Sequence, residues 1–99
     1  MLNIGTQNNY ANALDNDAKT LAEVVRILRA HRRNIDVTGE DGLSLDQSIH
    51  VLENAASDGD TAKPEVARAG RLVASTAGQL ILGAGGNALW EAFKAVVGL

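Results

Sequence analysis

Few side chains in this sequence are able to do chemistry. His31 and His50 are the only imidazoles, and there is no cysteine. An imidazole works as a general base or a metal ligand only when a nucleophile, an orienting carboxylate or further ligands converge on it. His31 lies in AHRRN among arginines, and His50 falls on the polar side of the helix expected around it. Neither is expected to have a carboxylate or nucleophile beside it, so both read as surface histidines. The glycines of ILGAGGN have neither the preceding strand nor the lysine and spacing of a phosphate-cradling loop. Without Cys there is no disulfide framework and no thiolate zinc site. No catalytic, cofactor-binding or metal-ligating residue is expected, and the chain reads as non-enzymatic.

The one basic cluster is Arg26, Arg29 and Arg33, spaced i, i+3 and i+7 on one side of a helix, with Arg32 and His31 beside them. Cations at a helix C-terminus complement its dipole. The same group could instead serve as a patch for anionic lipid headgroups or an acidic partner. A net charge of −3 argues against sequence-independent binding to nucleic acid, which depends on a clustered basic face.

The elements that must carry these residues are helical. Ninety-nine residues suffice for one domain. The chain is 45% apolar, yet its only aromatics are Tyr10, Trp90 and Phe93 and its only proline is Pro64. Leu, Val, Ile and Ala must therefore build the core, which is the palette of a helix bundle and not of a strand-rich fold. A first helix is predicted from about Asp15, with Leu14, Ala18, Leu21, Val25 and Leu28 as its stripe and Val24 and Ile27 widening it. IDVTGEDG then reads as a turn. Ser44 and Gln47 have the spacing of a capping box, which predicts a second helix over 45–57 with Leu45, Ile49, Leu52 and Ala56 buried and Gly59 closing it. Pro64 suits the first turn of a third helix. A break at Gly83, Gly85 and Gly86 would leave a last helix over 87–97 that presents Leu89, Trp90, Phe93, Val96 and Val97. The expectation is an all-α, small four-helix bundle over 14–99, preceded by a short polar, non-helical segment over 1–13. Its core is expected to join Val66, Val73, Leu80, Trp90 and Phe93 to Leu21, Val25, Leu28, Ile49 and Leu52.

The third helix carries a second pattern. Ala67, Gly70, Ala74 and Gly78 recur at three- and four-residue steps, and Gly70, Ala74 and Gly78 form a candidate ridge for close helix packing. No charge occurs between Arg71 and Glu91. That run is long enough to cross a hydrocarbon core of roughly 30 Å. Ser75, Thr76, Gln79, Asn87 and the glycines lower its hydrophobicity, so it reads as the central buried helix of the bundle and not as a constitutive span. Its small-residue steps are similar to the surfaces by which helices pack in membranes. Such a helix would be soluble when packed and membrane-active when released.

The opening LNIGTQNNYAN has no charge and is rich in amides. Leu2-Asn3-Ile4-Gly5-Thr6-Gln7-Asn8 resembles the core of the RIP homotypic interaction motif, with Asn3 where Gln is usual, and the related pseudo-palindromic amyloid motifs of fungal and bacterial immune proteins. Alternating aliphatic and amide side chains without charge or proline are what a cross-β stack requires. The resemblance assigns self-assembly to Asn3, Ile4, Gly5, Gln7 and Asn8. Beside a small helical bundle, the motif resembles the bacterial Bell domains, which are similar to HeLo-like cell-death domains, although here it precedes the bundle. What this implies is a cell-death or immune-signalling effector module that self-associates and perturbs membranes. Its partner would be another copy or a signalling protein with a matching motif, and its second target an anionic membrane surface. No cofactor is implied. A soluble death-fold-like adaptor and a small antitoxin or immunity protein are the alternative readings. With no secretory leader pattern at the N-terminus, the expected location is the cytoplasm, with membrane recruitment on activation.

Overall fold

The computed structural model describes residues 16–99 in full and, for residues 3–15, only the course of the backbone. Its elements are α1 (Asn3–Ala30), a single 3-10 turn (Arg32–Asn34), α2 (Gly39–Asp58) and α3 (Pro64–Val97), so the described residues are all-helical with no strand. α1 starts earlier than the predicted Asp15, since no proline interrupts the chain there and a helix propagates readily once nucleated. The segment over 1–13, expected to be non-helical, is thus helical from Asn3 onward, and the side chains of its motif residues Asn3, Ile4, Gly5, Gln7 and Asn8 lie outside the described residues.

The second helix also begins earlier than the sequence suggests. α2 starts at Gly39 with Thr38 as its N-cap, which places Ser44 and Gln47 inside the helix and not at a capping box. Glu40 and Asp41 occupy the first turn, where carboxylates oppose the positive end of the dipole. Gly42 is buried, and a Cβ there would lie 3.3 Å from the Val37 carbonyl oxygen and 3.3 Å from an Arg32 guanidinium nitrogen, so the residue admits the approach of the preceding loop. At the other end Gly59 adopts φ 76° and its N–H donates to the Ala55 carbonyl at 2.9 Å, closing the helix as expected.

α3 folds back on itself. The break expected across Gly83–Gly86 is confined to Gly86 (φ 85°, ψ 171°), with a second departure from helical angles at Ala77 (φ −130°, ψ 17°). A straight helix would separate Gly70 from Val97 by about 40 Å at 1.5 Å per residue. Instead a Cβ on Gly70 would collide with the Val97 side chain, and one on Gly78 would stand 3.1 Å from the Trp90 ring. α3 is thus two limbs, Pro64 to Gly85 and Asn87 to Val97, lying antiparallel. The tip of this hairpin reaches α1, because a Cβ on Gly85 would lie 3.1 Å from Ile27 Cδ1. Pro64 stands at the N-terminus of the first limb, where its missing N–H costs no helical hydrogen bond.

The core lies where the three helices meet. Leu21, Val25 and Leu28 of α1, Ile49 and Leu52 of α2, and Val66, Val73 and Phe93 of α3 are buried together, as predicted. The stripe widens through the buried Val24 and Ile27, and Ile35, from the loop after the 3-10 turn, joins it. On α2 the buried alanine is Ala55, and Ala56, expected in the stripe, is only partly buried. Two further expected members differ. Leu80 and Trp90 are only partly buried and pack on the cluster from outside, whereas Ile81 is fully enclosed. The bend at Ala77 decides this, since it turns the four-residue step from Ala77 inward at Ile81 and leaves Leu80 on the flank. Trp90 is left on the flank because its ring covers the open notch at Gly78.

Candidate functional site

The arginine cluster sits where α1 meets α2, and most of it is bound to carboxylates. Arg26 pairs with Glu23 one turn earlier on α1, and this guanidinium holds the Glu23 carboxyl below the usual carboxylate range. Arg29 Nη2 donates to Glu53 Oε1 of α2 at 2.8 Å. Arg32 Nε donates to Asp46 Oδ1 at 2.7 Å, and its Nη2 reaches the Gly42 carbonyl at 3.4 Å. Arg33 is exposed in the 3-10 turn and has no ion pair among the described residues. Exposed pairs of this kind are worth about 0–1 kcal/mol each. Only Arg29 with Glu53 links α1 directly to α2, while Arg32 with Asp46 ties the 3-10 turn to α2 and Arg26 with Glu23 stays within α1. Arg26 and Arg29 also wall a shallow groove of about 330 Å³ floored by Ala22, Val25 and Ala56.

The histidines do not join a site. Contrary to expectation a carboxylate does stand beside His50, whose Nδ1 is 3.8 Å from Glu53 one turn later, but that carboxylate is already held by Arg29 and His50 is exposed, while His31 is half-buried at the end of α1. Among the described residues no group of three or more His, Cys, Asp or Glu side chains is placed to hold a metal ion.

Gly70, Ala74 and Gly78 form the face of the first α3 limb on which the second limb lies: Gly70 receives Val97, Gly78 receives Trp90, and Ala74 is half-buried between them. Trp90 and Phe93 have ring centroids 6.2 Å apart and tilted by 35°, and Lys94 Nζ lies 5.6 Å from the Trp90 ring centre while pairing with Glu91 at 3.0 Å. Beyond these contacts the hairpin ends in a tip, the glycine-rich stretch that the sequence marks as a break and not as a site. Leu82 is 37% exposed, and Gly83, Ala84, Gly86, Asn87 and Ala88 are exposed beside it. The charge-free run was the available signal, but only the bend at Gly86 turns its middle outward. The tip is therefore an uncharged, mildly apolar prominence, while charged side chains stud the exposed faces of α1 and α2.

Among the described residues no helix is long and apolar enough to cross a membrane. No family model, curated protein or solved structure matches the chain.

Proposed function

We propose that the chain is a non-enzymatic effector module of cell-death or immune signalling, one that self-associates and acts at membrane surfaces through the tip of the α3 hairpin. The observation that carries this reading is the charge-free tip from Leu82 to Ala88, exposed at every position but Gly85, which faces α1. An uncharged projection with one leucine can enter the headgroup boundary without desolvating a charge, which is the costly step for most protein surfaces. Taking the two limbs of α3 as separate helices gives the four-helix arrangement that the resemblance to Bell and HeLo-like domains implies. Self-association would draw on the amyloid-type motif at Asn3, Ile4, Gly5, Gln7 and Asn8, with a second copy or a signalling protein of matching motif as partner. The setting is the cytoplasm, with recruitment to membranes on activation.

A second reading, a soluble adaptor that binds a protein partner and never meets lipid, is favoured by the engagement of Arg29 and Arg32 with Glu53 and Asp46. Those cations are already partly neutralised, so they attract anionic headgroups less than a free cluster would.

Dye release from phosphatidylserine-containing vesicles separates the two. Release is expected, reduced about tenfold or more by Leu82→Glu, because placing a charge in apolar lipid costs about 2.5–3.5 kcal/mol at full depth. Absence of release from anionic and neutral vesicles alike would replace the membrane reading with the adaptor.

A further inference from the structure

Five of the nine lysines and arginines are paired with carboxylates: Arg26, Arg29, Arg32, Lys63 and Lys94. The other four, Lys19, Arg33, Arg68 and Arg71, are exposed and have no ion pair among the described residues. Of these, only Arg68 and Arg71 lie one turn apart, on the first limb of α3. Further along the same limb Ser75, Gln79 and Leu82 are exposed as well. At 3.6 residues per turn these five positions fall within an arc of about 80° on one side of a helix. The bend at Ala77 does not part them, because Ser75, Gln79 and Leu82 line one hollow of about 230 Å³ together with Trp90. From Arg68 to Leu82, over about 21 Å at 1.5 Å per residue, the strip passes from charged to polar to apolar. Half-buried Trp90 stands beside its apolar end, and an indole is an amphipathic ring of the kind that settles at the headgroup level. In a chain of net charge −3, residues 66–90 hold two positive charges and no negative one. An anionic surface therefore attracts this strip and repels the remainder, which is net negative.

We infer that the outer face of the first α3 limb is where the chain meets an anionic phospholipid bilayer: Arg68 and Arg71 lie against lipid phosphates, Ser75 and Gln79 hydrogen-bond in the headgroup layer, and Leu82 and Trp90 anchor at the hydrocarbon boundary. The inference deepens the membrane reading above and rests on it, adding a lipid class and an orientation in which the limb lies along the surface. Arg26, Arg29 and Arg32 are already bound to carboxylates and take no part.

The test is binding to phosphatidylcholine vesicles with and without phosphatidylserine, followed by the emission of Trp90, the only tryptophan of the chain. Wild type should bind the serine-containing vesicles, with Trp90 emission moving to shorter wavelength. Arg68→Gln combined with Arg71→Gln should weaken that binding about 25-fold, roughly fivefold per cation. The charge-matched pair Lys19→Gln with Arg33→Gln should weaken it by less than about threefold, since salt screens charges that do not touch the surface. All four side chains are exposed and unpaired, and circular dichroism checks that helicity is retained. Equal losses from the two pairs, or full binding by the Arg68 and Arg71 variant, overturn the inference and leave the membrane reading in place. Failure of wild type to bind either vesicle overturns both, and if polyglutamate then binds wild type but not that variant, the strip is a surface for an acidic protein partner.

Discussion

Phe93→Ala is expected to lower the melting temperature by at least about 12 °C, taking roughly 3 kcal/mol as the lower end of the cost of emptying a buried phenylalanine site and about 4 °C per kcal/mol for a domain of this size. Phe93 is fully enclosed and belongs to the second limb of α3. It is the largest buried side chain that the limb contributes to the core. The loss is a large share of a total stability of about 5–15 kcal/mol. Trp90 serves as an internal reporter, since it is half-buried with its ring centre 6.2 Å from that of Phe93. Its emission should move to longer wavelength in the variant as the limb loosens. An unchanged melt with unchanged Trp90 emission would mean that the second limb does not pack on the core.

The second large effect is expected on α2. Leu52 has no exposed surface, whereas Leu43, on the same helix, is 65% exposed. Leu52→Ala should cost about 2–5 kcal/mol, and Leu43→Ala should stay within about 0.5 kcal/mol. Chemical denaturation of the two variants side by side fixes the rotation of α2, because a turn of the helix that exchanged the two positions would reverse the order. Equal effects would place the buried face of α2 elsewhere.

The buried stripes of all three helices were legible from periodicity, because Leu21, Val25, Leu28, Ile49, Leu52, Val66, Val73 and Phe93 follow steps of three and four that depend only on helix geometry. The helix boundaries were less so. Ser44 and Gln47 satisfy the local grammar of a cap, but α2 begins at Gly39, where the fit of Gly42 beneath the Val37 carbonyl and the pairing of Arg32 with Asp46 are tertiary facts. Ile81 was missed in favour of Leu80 for a similar reason, since both continue a helical stripe and only the bend at Ala77 chooses between them. The candidate site was legible in part. The arginine cluster could be found by spacing, whereas its carboxylate partners Glu53 and Asp46 come from another helix and are invisible to a reading of neighbours. Gly70, Ala74 and Gly78 announced a close packing face, and what occupies that face depended on a reversal at Gly86 that three nearby glycines suggest without specifying. The side chains of the motif residues Asn3, Ile4, Gly5, Gln7 and Asn8 lie outside the described residues, and their backbone continues α1 and not the extended segment that the composition suggested.

The reversal of α3 at Gly86 underlies the exposed tip and the occupied ridge alike, and one distance measures it. Spin labels on cysteines replacing Arg71 and Ala95, both exposed, would be about 36 Å apart along an unbroken helix at 1.5 Å per residue. With limbs packed at an axial separation of roughly 8–10 Å, double electron–electron resonance on labelled chain diluted into an excess of unlabelled chain, at concentrations where the protein is monomeric, should give a distance well below that, under about 25 Å. A distribution centred near the unbroken-helix value in the monomer would contradict the hairpin and remove the basis of the proposed membrane contact.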